Sequence, residues 1–177
     1  SVYRFGRSRV EQDVILEAGG DTVRFETRVD WREPFKMLRA DFMPEDYGDT
    51  ARFEIQFGSI ERATTEKNSV EAAQFEVCAH KYVAVQGEAG GFALMNESKY
   101  GHRVKNGRIS LNPLRAPVFP DPKADRGAHK IVYAFCPFEK DDFLRPVREG
   151  YRLNNPLRIA LRPEAESLVS CDAPNVV

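Results

Sequence analysis

The sequence predicts an all-β fold, a large antiparallel β-sandwich, from three observations. Short segments in which apolar and polar residues alternate recur along the chain, as expected of strands that bury one face. Turn signals rich in Gly, Pro, Asn and Asp separate these segments. No window carries the sustained apolar period of a long amphipathic helix. Many short strands joined by turns are typical of a two-sheet sandwich.

The first strands are predicted on either side of a turn at 18–21 (AGGD). Val14 and Leu16 belong to the first of them, and Val23 and Phe25 begin the second. After an interruption at 31–34, a further extended segment is expected over 37–42.

The central strands follow the same two-residue period. Phe53, Ile55 and Phe57 alternate with polar residues, which predicts a half-buried strand that ends at Gly58. The polar segment 66–74 is expected to form a loop or a short helical turn, and strands are predicted over 75–79 and 82–85.

The strongest turn signal in the chain is Asn106-Gly107. This pair supplies the two positive φ angles of a two-residue type I′ turn, and alternating residues follow it, so a tight hairpin is predicted. The run IVYAFCPF at 131–138 predicts another strand, which Pro137 ends or places at a sheet edge.

A change of composition at 139–142 (EKDD) is the predicted domain junction. Residues 1–140 are expected to form the main β-sandwich. Residues 141–177 are interpreted as the start, or the strands, of a further small β element, with strands at 151–157 and 167–170.

The bulk composition excludes several classes of partner. The 177 residues contain 26 Lys and Arg against 27 Asp and Glu without a like-charge block, so neither nucleic acid nor an anionic membrane is expected. No stretch approaches the roughly 20 apolar residues of a membrane-spanning helix. Cys78, Cys136 and Cys171 are distant from one another and odd in number, which argues against a disulfide framework or a thiolate zinc site. Reduced thiols and a cytoplasmic location are therefore predicted.

Polar residues on turn-rich loops of the stretch 91–127 are the candidates for binding. Asn96, Lys99 and Tyr100 offer amide, ammonium and phenol groups that suit the hydroxyls of a sugar. Arg115, within a proline-framed loop, offers a fixed guanidinium fork and is the first candidate. The structural alternatives are a turn cap for Asn96, solvation for Lys99, interface packing for Tyr100 and a buried salt bridge for Arg115.

Two aspartates and one aromatic residue receive structural interpretations. Asp121 and Asp125 are expected to form supporting ion pairs with Arg115. Trp31, the only tryptophan, could offer its face to a sugar ring, but its position at a strand end favours an anchor in the sandwich.

No metal site is predicted in this chain. His80, His102 and His129 show no short ligand spacing, so each is interpreted as a loop or edge residue that makes an ordinary hydrogen bond.

Seven segments together resemble the C-terminal β region of the α-mannosidases of glycoside hydrolase family 38. They are 25–33 (FETRVDWRE), 55–62 (IQFGSIER), 74–81 (QFEVCAHK), 96–101 (NESKYG), 114–117 (LRAP), 120–121 (PD) and 124–129 (ADRGAH). The resemblance covers most of the chain and implies a sandwich of the supersandwich type, similar to galactose mutarotase.

The resemblance implies that this chain is a noncatalytic portion of a retaining enzyme that releases terminal α-linked mannose. Such enzymes use two carboxyl groups about 5 to 5.5 Å apart, and no such pair is identified here, so no catalytic residue is assigned to this chain. The family's catalytic residues and divalent metal, usually zinc, lie mainly in an N-terminal α/β domain outside these residues. The expected partners are that domain of the same polypeptide and a mannose-containing oligosaccharide or small mannoside.

Other functions stay open at the level of sequence. The main alternative is a stand-alone carbohydrate-binding or scaffolding β-sandwich without chemistry, and a third is a hydrolase of related fold that acts on another sugar. Linkage specificity is not predicted, and assembly of the parent as a homo-oligomer stays open.

Overall fold

The computed structural model describes residues 1–74 and 76–157, which form twelve strands and two helices. The elements are, in chain order, β1 Val2–Phe5, β2 Ser8–Leu16, β3 Val23–Trp31, β4 Leu38–Phe42, β5 Thr50–Ile55, β6 Gly58–Ala63, α1 Ser69–Ala73, β7 Val77–Cys78, β8 Tyr82–Gln86, β9 Gly90–Asn96, β10 Gly101–Lys105, β11 Arg108–Leu114, β12 Gly127–Glu139 and α2 Leu144–Asn154. The all-β prediction is confirmed.

The strands form two antiparallel sheets of unequal size. The large sheet has eight strands in the order β1-β2-β3-β12-β9-β8-β5-β6, and the small sheet has four in the order β4-β11-β10-β7. Strand β12 is central because it pairs with β3 along nine residues and with β9 along seven. The main core lies between the sheets, where large-sheet residues such as Ile131 and Leu94 meet small-sheet residues such as Ile109 and Leu111.

The predicted hairpins are largely present. Residues 17–22 connect β2 to β3, and Asn106-Gly107 connects β10 to β11 with φ angles of 47° and 75°, as a type I′ turn requires. The strand predicted around Phe53 is also found, but it ends at Ile55. Phe57 lies in the following turn with φ 61° and a fully exposed ring, and Gly58 starts the next strand.

A helix replaces the strand that the sequence predicted from residue 151. Helix α2 packs on the outer face of the large sheet, where its flanking Phe143 and its own Val147 and Leu153 contact a second buried cluster that includes Met95 and Cys136. The strand prediction for 151–154 is therefore wrong, because one face of this segment packs as a helix. The strand predicted at 167–170 lies outside the described residues, and the domain boundary near 140 stays a prediction.

Candidate functional site

Two loops meet at the end of the sandwich where β9 finishes and β12 begins. These are residues 97–100, between β9 and β10, and residues 115–126, between β11 and β12; together they are called the loop pole. The register pairs Asn96 with Tyr133, and the Glu97 N–H donates to the Val132 carbonyl at 3.0 Å. The sheet pairing thus brings most of the predicted binding candidates to one end of the molecule.

Asn96 lies beneath the loop pole rather than on its surface. The side chain is fully buried, and its Nδ2 donates to the His80 carbonyl at 2.8 Å and lies 3.3 Å from His102 Nε2. Its Oδ1 accepts the Lys99 N–H at 2.7 Å, which is the turn-capping contact that the sequence left open. Because the amide is engaged within the protein, Asn96 fixes the position of the 97–100 loop.

His102 completes this buried network. It lies inside β10 with no exposed surface, so its interpretation as a loop or edge residue is wrong. Its Nδ1 lies 3.2 Å from the Tyr100 carbonyl, which fits a neutral ring that donates from Nδ1 and accepts from Asn96 at Nε2. Burial lowers the pKa of His102 to about 4, although the Tyr100 contact opposes the shift.

Asp125 organises the second loop through the backbone. Its Oδ2 accepts the N–H groups of Arg115 at 2.9 Å and of Ala116 at 3.0 Å. Partial burial raises the pKa of Asp125, but these two N–H donors, together with Lys99 and His129, outweigh it and hold the pKa below its usual value. The carboxylate is therefore ionised at neutral pH and clamps the chain where Ala116 has a φ of 46°.

The predicted ion pairs of Arg115 with Asp121 and Asp125 are not present among the described residues. Asp121 Oδ1 instead accepts the Lys123 N–H at 2.8 Å, so both aspartates shape the loop backbone. The Arg115 side chain is exposed and makes no hydrogen bond or ion pair with the part of the chain that the structure describes. A buried salt bridge, the structural alternative for this residue, is not what the structure shows.

Lys99 and Tyr100 occupy the surface of the same pole. Lys99 is half-buried and close enough to Asp125 to lower its pKa, and Tyr100 is half exposed with its ring centroid 5.4 Å from that of His80. The structure therefore gathers Arg115, Lys99 and Asp125 into one polar group, flanked by Tyr100.

Exposed aromatic residues at this end were not identified from the sequence. The Phe35 N–H donates to the Ala116 carbonyl at 2.9 Å, which brings the 32–37 segment to the loop pole, and the rings of Phe35 and Phe119 are largely exposed. Phe119 precedes Pro120 in a proline-rich loop, and that context was the available signal. Trp31, in contrast, is 3% exposed and stacks near Phe5, so its interpretation as an anchor is confirmed.

Neither a metal site nor a membrane span is found in the described parts of the chain. Across residues 1–74 and 76–157, no three His, Cys, Asp or Glu side chains are grouped to hold a metal ion. Neither described helix is long and apolar enough to cross a membrane. A cleft of about 880 Å³ lies at the opposite end of the sandwich, next to Gly90 and Glu139.

Similarity to curated proteins extends over nearly the whole chain. The chain is 38% identical over 168 residues to alpha-mannosidase 2C1 of Homo sapiens, and the matched region covers 94% of this chain and 16% of that protein. It is 40% identical over 159 residues to alpha-mannosidase G of Dictyostelium discoideum, which covers 89% of this chain and 15% of that protein. The chain thus spans about one sixth of the length of the relatives it matches.

Solved structures share the fold at lower sequence identity. A protein in the glycosyl hydrolase family 38 from Enterococcus faecalis superposes with a TM-score of 0.76 at 16% identity, over 94% of this chain and 20% of that one. An alpha-mannosidase from Enterococcus faecalis V583 superposes with a TM-score of 0.75 at 15% identity, and the match covers 82% of this chain and 18% of that one. The sequence model of the family described as "Glycosyl hydrolases family 38 C-terminal domain" matches residues 1–123 of this chain. This chain belongs to the family of C-terminal domains of the family 38 glycosyl hydrolases.

Proposed function

We propose that the chain is a C-terminal part of an α-mannosidase that releases terminal α-linked mannose with retention of configuration. In this proposal the sandwich supports the catalytic domain of the same polypeptide and contributes the loop pole to one wall of the substrate pocket. The names of the relatives support the activity, and the share of their length that this chain spans leaves room for a separate catalytic domain.

The observation that carries the proposal is the state of Arg115. Its guanidinium is exposed and has no partner among the described residues. Asp125 holds the backbone at this position by accepting the N–H groups of Arg115 and Ala116. A charged donor on an immobilised loop can hold a hydroxyl of a pyranose or a carboxylate of the adjoining domain. Lys99 and Tyr100 add donors beside it, and Asn96 contributes by positioning their loop.

The reaction chemistry is assigned to the remainder of the parent protein. We assign the divalent metal of the proposed enzyme, with zinc as its proposed identity, to the catalytic domain of the parent protein. A mannose-containing oligosaccharide or a small mannoside is the proposed substrate. The two described cysteines are free thiols, which supports the proposed cytoplasmic location.

An activity comparison tests this proposal. The parent protein and the 177-residue chain are assayed side by side with an aryl α-mannoside and added divalent metal. We expect hydrolysis by the parent alone, because the described residues contain neither a metal site nor an assigned catalytic pair. A folded parent that is inactive on α-mannosides but active on another glycoside would contradict the proposed substrate.

The exposed aromatic rings of Phe35, Phe119 and Tyr100 favour a second candidate, an autonomous carbohydrate-binding module. Calorimetric titration of the chain with methyl α-mannoside separates the two functions. Saturable binding by the isolated chain supports the module, whereas half of a composite pocket should give no measurable heat.

A further inference from the structure

The two sheets differ in extent, and the described residues leave part of the larger sheet's inner face uncovered. Eight strands lie opposite four, and β4 lies at one edge of the small sheet. Its Phe42 ring stacks on Phe135 of β12 and contacts Phe25 of β3 edge-on. No described strand of the small sheet lies beyond β4, opposite β2 and β1. The register places five apolar side chains of these two strands on the inner face, namely Tyr3, Phe5, Val10, Val14 and Leu16.

This inner face is unusually exposed for the inside of a sandwich. Among these side chains, Tyr3, Phe5, Val14 and Leu16 are each more than half exposed. Val10 and Val14 are paired with Val29 and Phe25, which do pack against the core, so the apolar surface continues directly from the core into solvent. Gln12 lies between Val10 and Val14 on this face, and its amide donates to the hydroxyls of Thr27 and Tyr133. The exposed apolar side chains around it form surface of the kind that marks an interaction site.

The adjoining edge of the small sheet has no pairing strand in residues 1–74 and 76–157. Strand β4 pairs only with β11 among the described strands, so alternate N–H and C=O groups of Leu38–Phe42 point away from any partner. Its inward side chains, Leu38, Ala40 and Phe42, pack on the core and hold the edge in place beside the exposed face.

A cleft of about 630 Å³ joins the edge of β4 to the exposed face, and a buried donor lies in its wall. The indole of Trp31 lines the cleft, is 97% buried, and its Nε1–H has no acceptor among the described residues. A buried indole N–H ordinarily finds a hydrogen-bond partner. The cleft therefore offers an unpaired strand edge, an apolar floor and one unsatisfied donor.

We propose that an extended segment of the parent polypeptide, from outside these 177 residues, adds as a strand to the free edge of β4. Its alternate apolar side chains cover the inner face of β1 and β2, and one of its carbonyl or side-chain oxygens accepts the Trp31 N–H. Stacked sheets lie about 10 Å apart, so the cleft admits one strand and not a folded domain. The relatives are about six times longer than the region they share with this chain, so such a segment has ample sequence from which to come.

The inference rests on membership of a longer family 38 protein, not on the sugar that the parent hydrolyses. Its test reads amide exchange and stability, so a parent without α-mannosidase activity would leave the inference standing. Hydrogen exchange is measured at residues 38–42 in the parent and in the 177-residue chain. We expect the amides that face away from β11 to exchange about a hundredfold more slowly in the parent.

Two matched substitutions provide a second measurement. Val14 on the inner face and Val2 on the outer face are 56% and 58% exposed in this chain, so Val14→Asp and Val2→Asp change side chains of similar exposure in it. In the parent, we expect Val14→Asp to lower the thermal unfolding midpoint by several degrees more than Val2→Asp, because a charge would be buried under the added strand.

Two results would overturn the inference. One is equally fast, unprotected exchange at residues 38–42 in both proteins, which would leave the edge of β4 free in the parent. The other is protection that appears in the 177-residue chain itself, rises with its concentration and vanishes in Val14→Asp, which would identify the occupant as a second copy of this chain.

Discussion

At the scale of single residues, a binding role of Arg115 can be tested without loss of a structural contact. Its side chain makes no hydrogen bond or ion pair within the described part of the chain. We expect Arg115→Ala to reduce kcat/KM of the parent for an α-mannoside about 10- to 100-fold, the effect of losing a charge-assisted hydrogen bond. The urea unfolding midpoint should not change. Lys123→Ala, an exposed cation on the same loop, is the matched control and should retain activity. Wild-type kinetics in a folded Arg115→Ala enzyme would remove this residue from the pocket.

His102 makes stability depend on pH. Its pKa falls from 6.5 to about 4 on folding. Between pH 4 and pH 6.5 the unfolded chain therefore binds more protons at this residue than the folded chain does. The contribution to stability is complete above about pH 6.5 and declines as the pH falls towards 4, with a total on the order of 3 kcal/mol. Between pH 6 and pH 5, urea unfolding of the wild type should lose about 1 kcal/mol more than that of His102→Gln. Equal losses in the two proteins would show that His102 does not carry this proton linkage.

The sequence identified the residues of the loop pole better than it identified their roles. Arg115 and Lys99 lie on exposed loops because polar residues in proline-rich turns remain at the surface. Asn96 appeared in the same motif but is buried, because it ends a strand whose register carries it beneath the loop. Contacts with residues at least 16 positions away, His80 and Tyr133, determine the burial of Asn96. A local sequence pattern cannot predict such contacts.

At the scale of elements, the β10–β11 hairpin depends on the backbone of its turn. Gly107 has a φ of 75°, and an added Cβ would lie 2.3 Å from the Tyr47 ring. We expect Gly107→Ala to lower the free energy of unfolding by about 1–2 kcal/mol, since an L side chain is strained in this conformation. Gly58→Ala is the control, because Gly58 follows another hairpin turn without a positive φ and has open space around its Cα. Chemical denaturation measures the free energy of unfolding of both variants. Equal values for Gly107→Ala and Gly58→Ala would contradict the strain expected at Gly107.

Helix α2 shows where a local pattern is insufficient. Pro146 and Gly150 lower its intrinsic helix propensity, although proline is tolerated in the first turn. Gly150 lies against β8, where an added Cβ would be 3.2 Å from Lys81 Cβ, so the glycine permits close packing of the helix on the sheet. The strands were predictable because their two-residue period is written into each segment, whereas this helix is stabilised by a surface formed by β8, β9 and β12.

At the scale of the whole molecule, strand alternation and turn signals predicted the class of fold but not the unequal sizes of its sheets. Strand order depends on long-range pairing, as in β12, which pairs with β3 across about a hundred residues of chain and with β9 across about forty. The described sandwich therefore has one well-packed half, around Ile131 and Leu94, and one open half over β1 and β2.

Cys136 reports on the integrity of the packed half as a unit. It is fully buried under α2 and burial raises the pKa of its thiol to about 12, whereas Cys78 is exposed. In a Cys171→Ser background, we expect a thiol reagent to label Cys78 at once and Cys136 at least about a thousandfold more slowly, at the rate of global opening. The protection of Cys136 should fall with urea in parallel with the global stability, and Cys78→Ser assigns the slow phase. Labelling of Cys136 that is slow but independent of urea would instead indicate that α2 opens locally while the two sheets stay together.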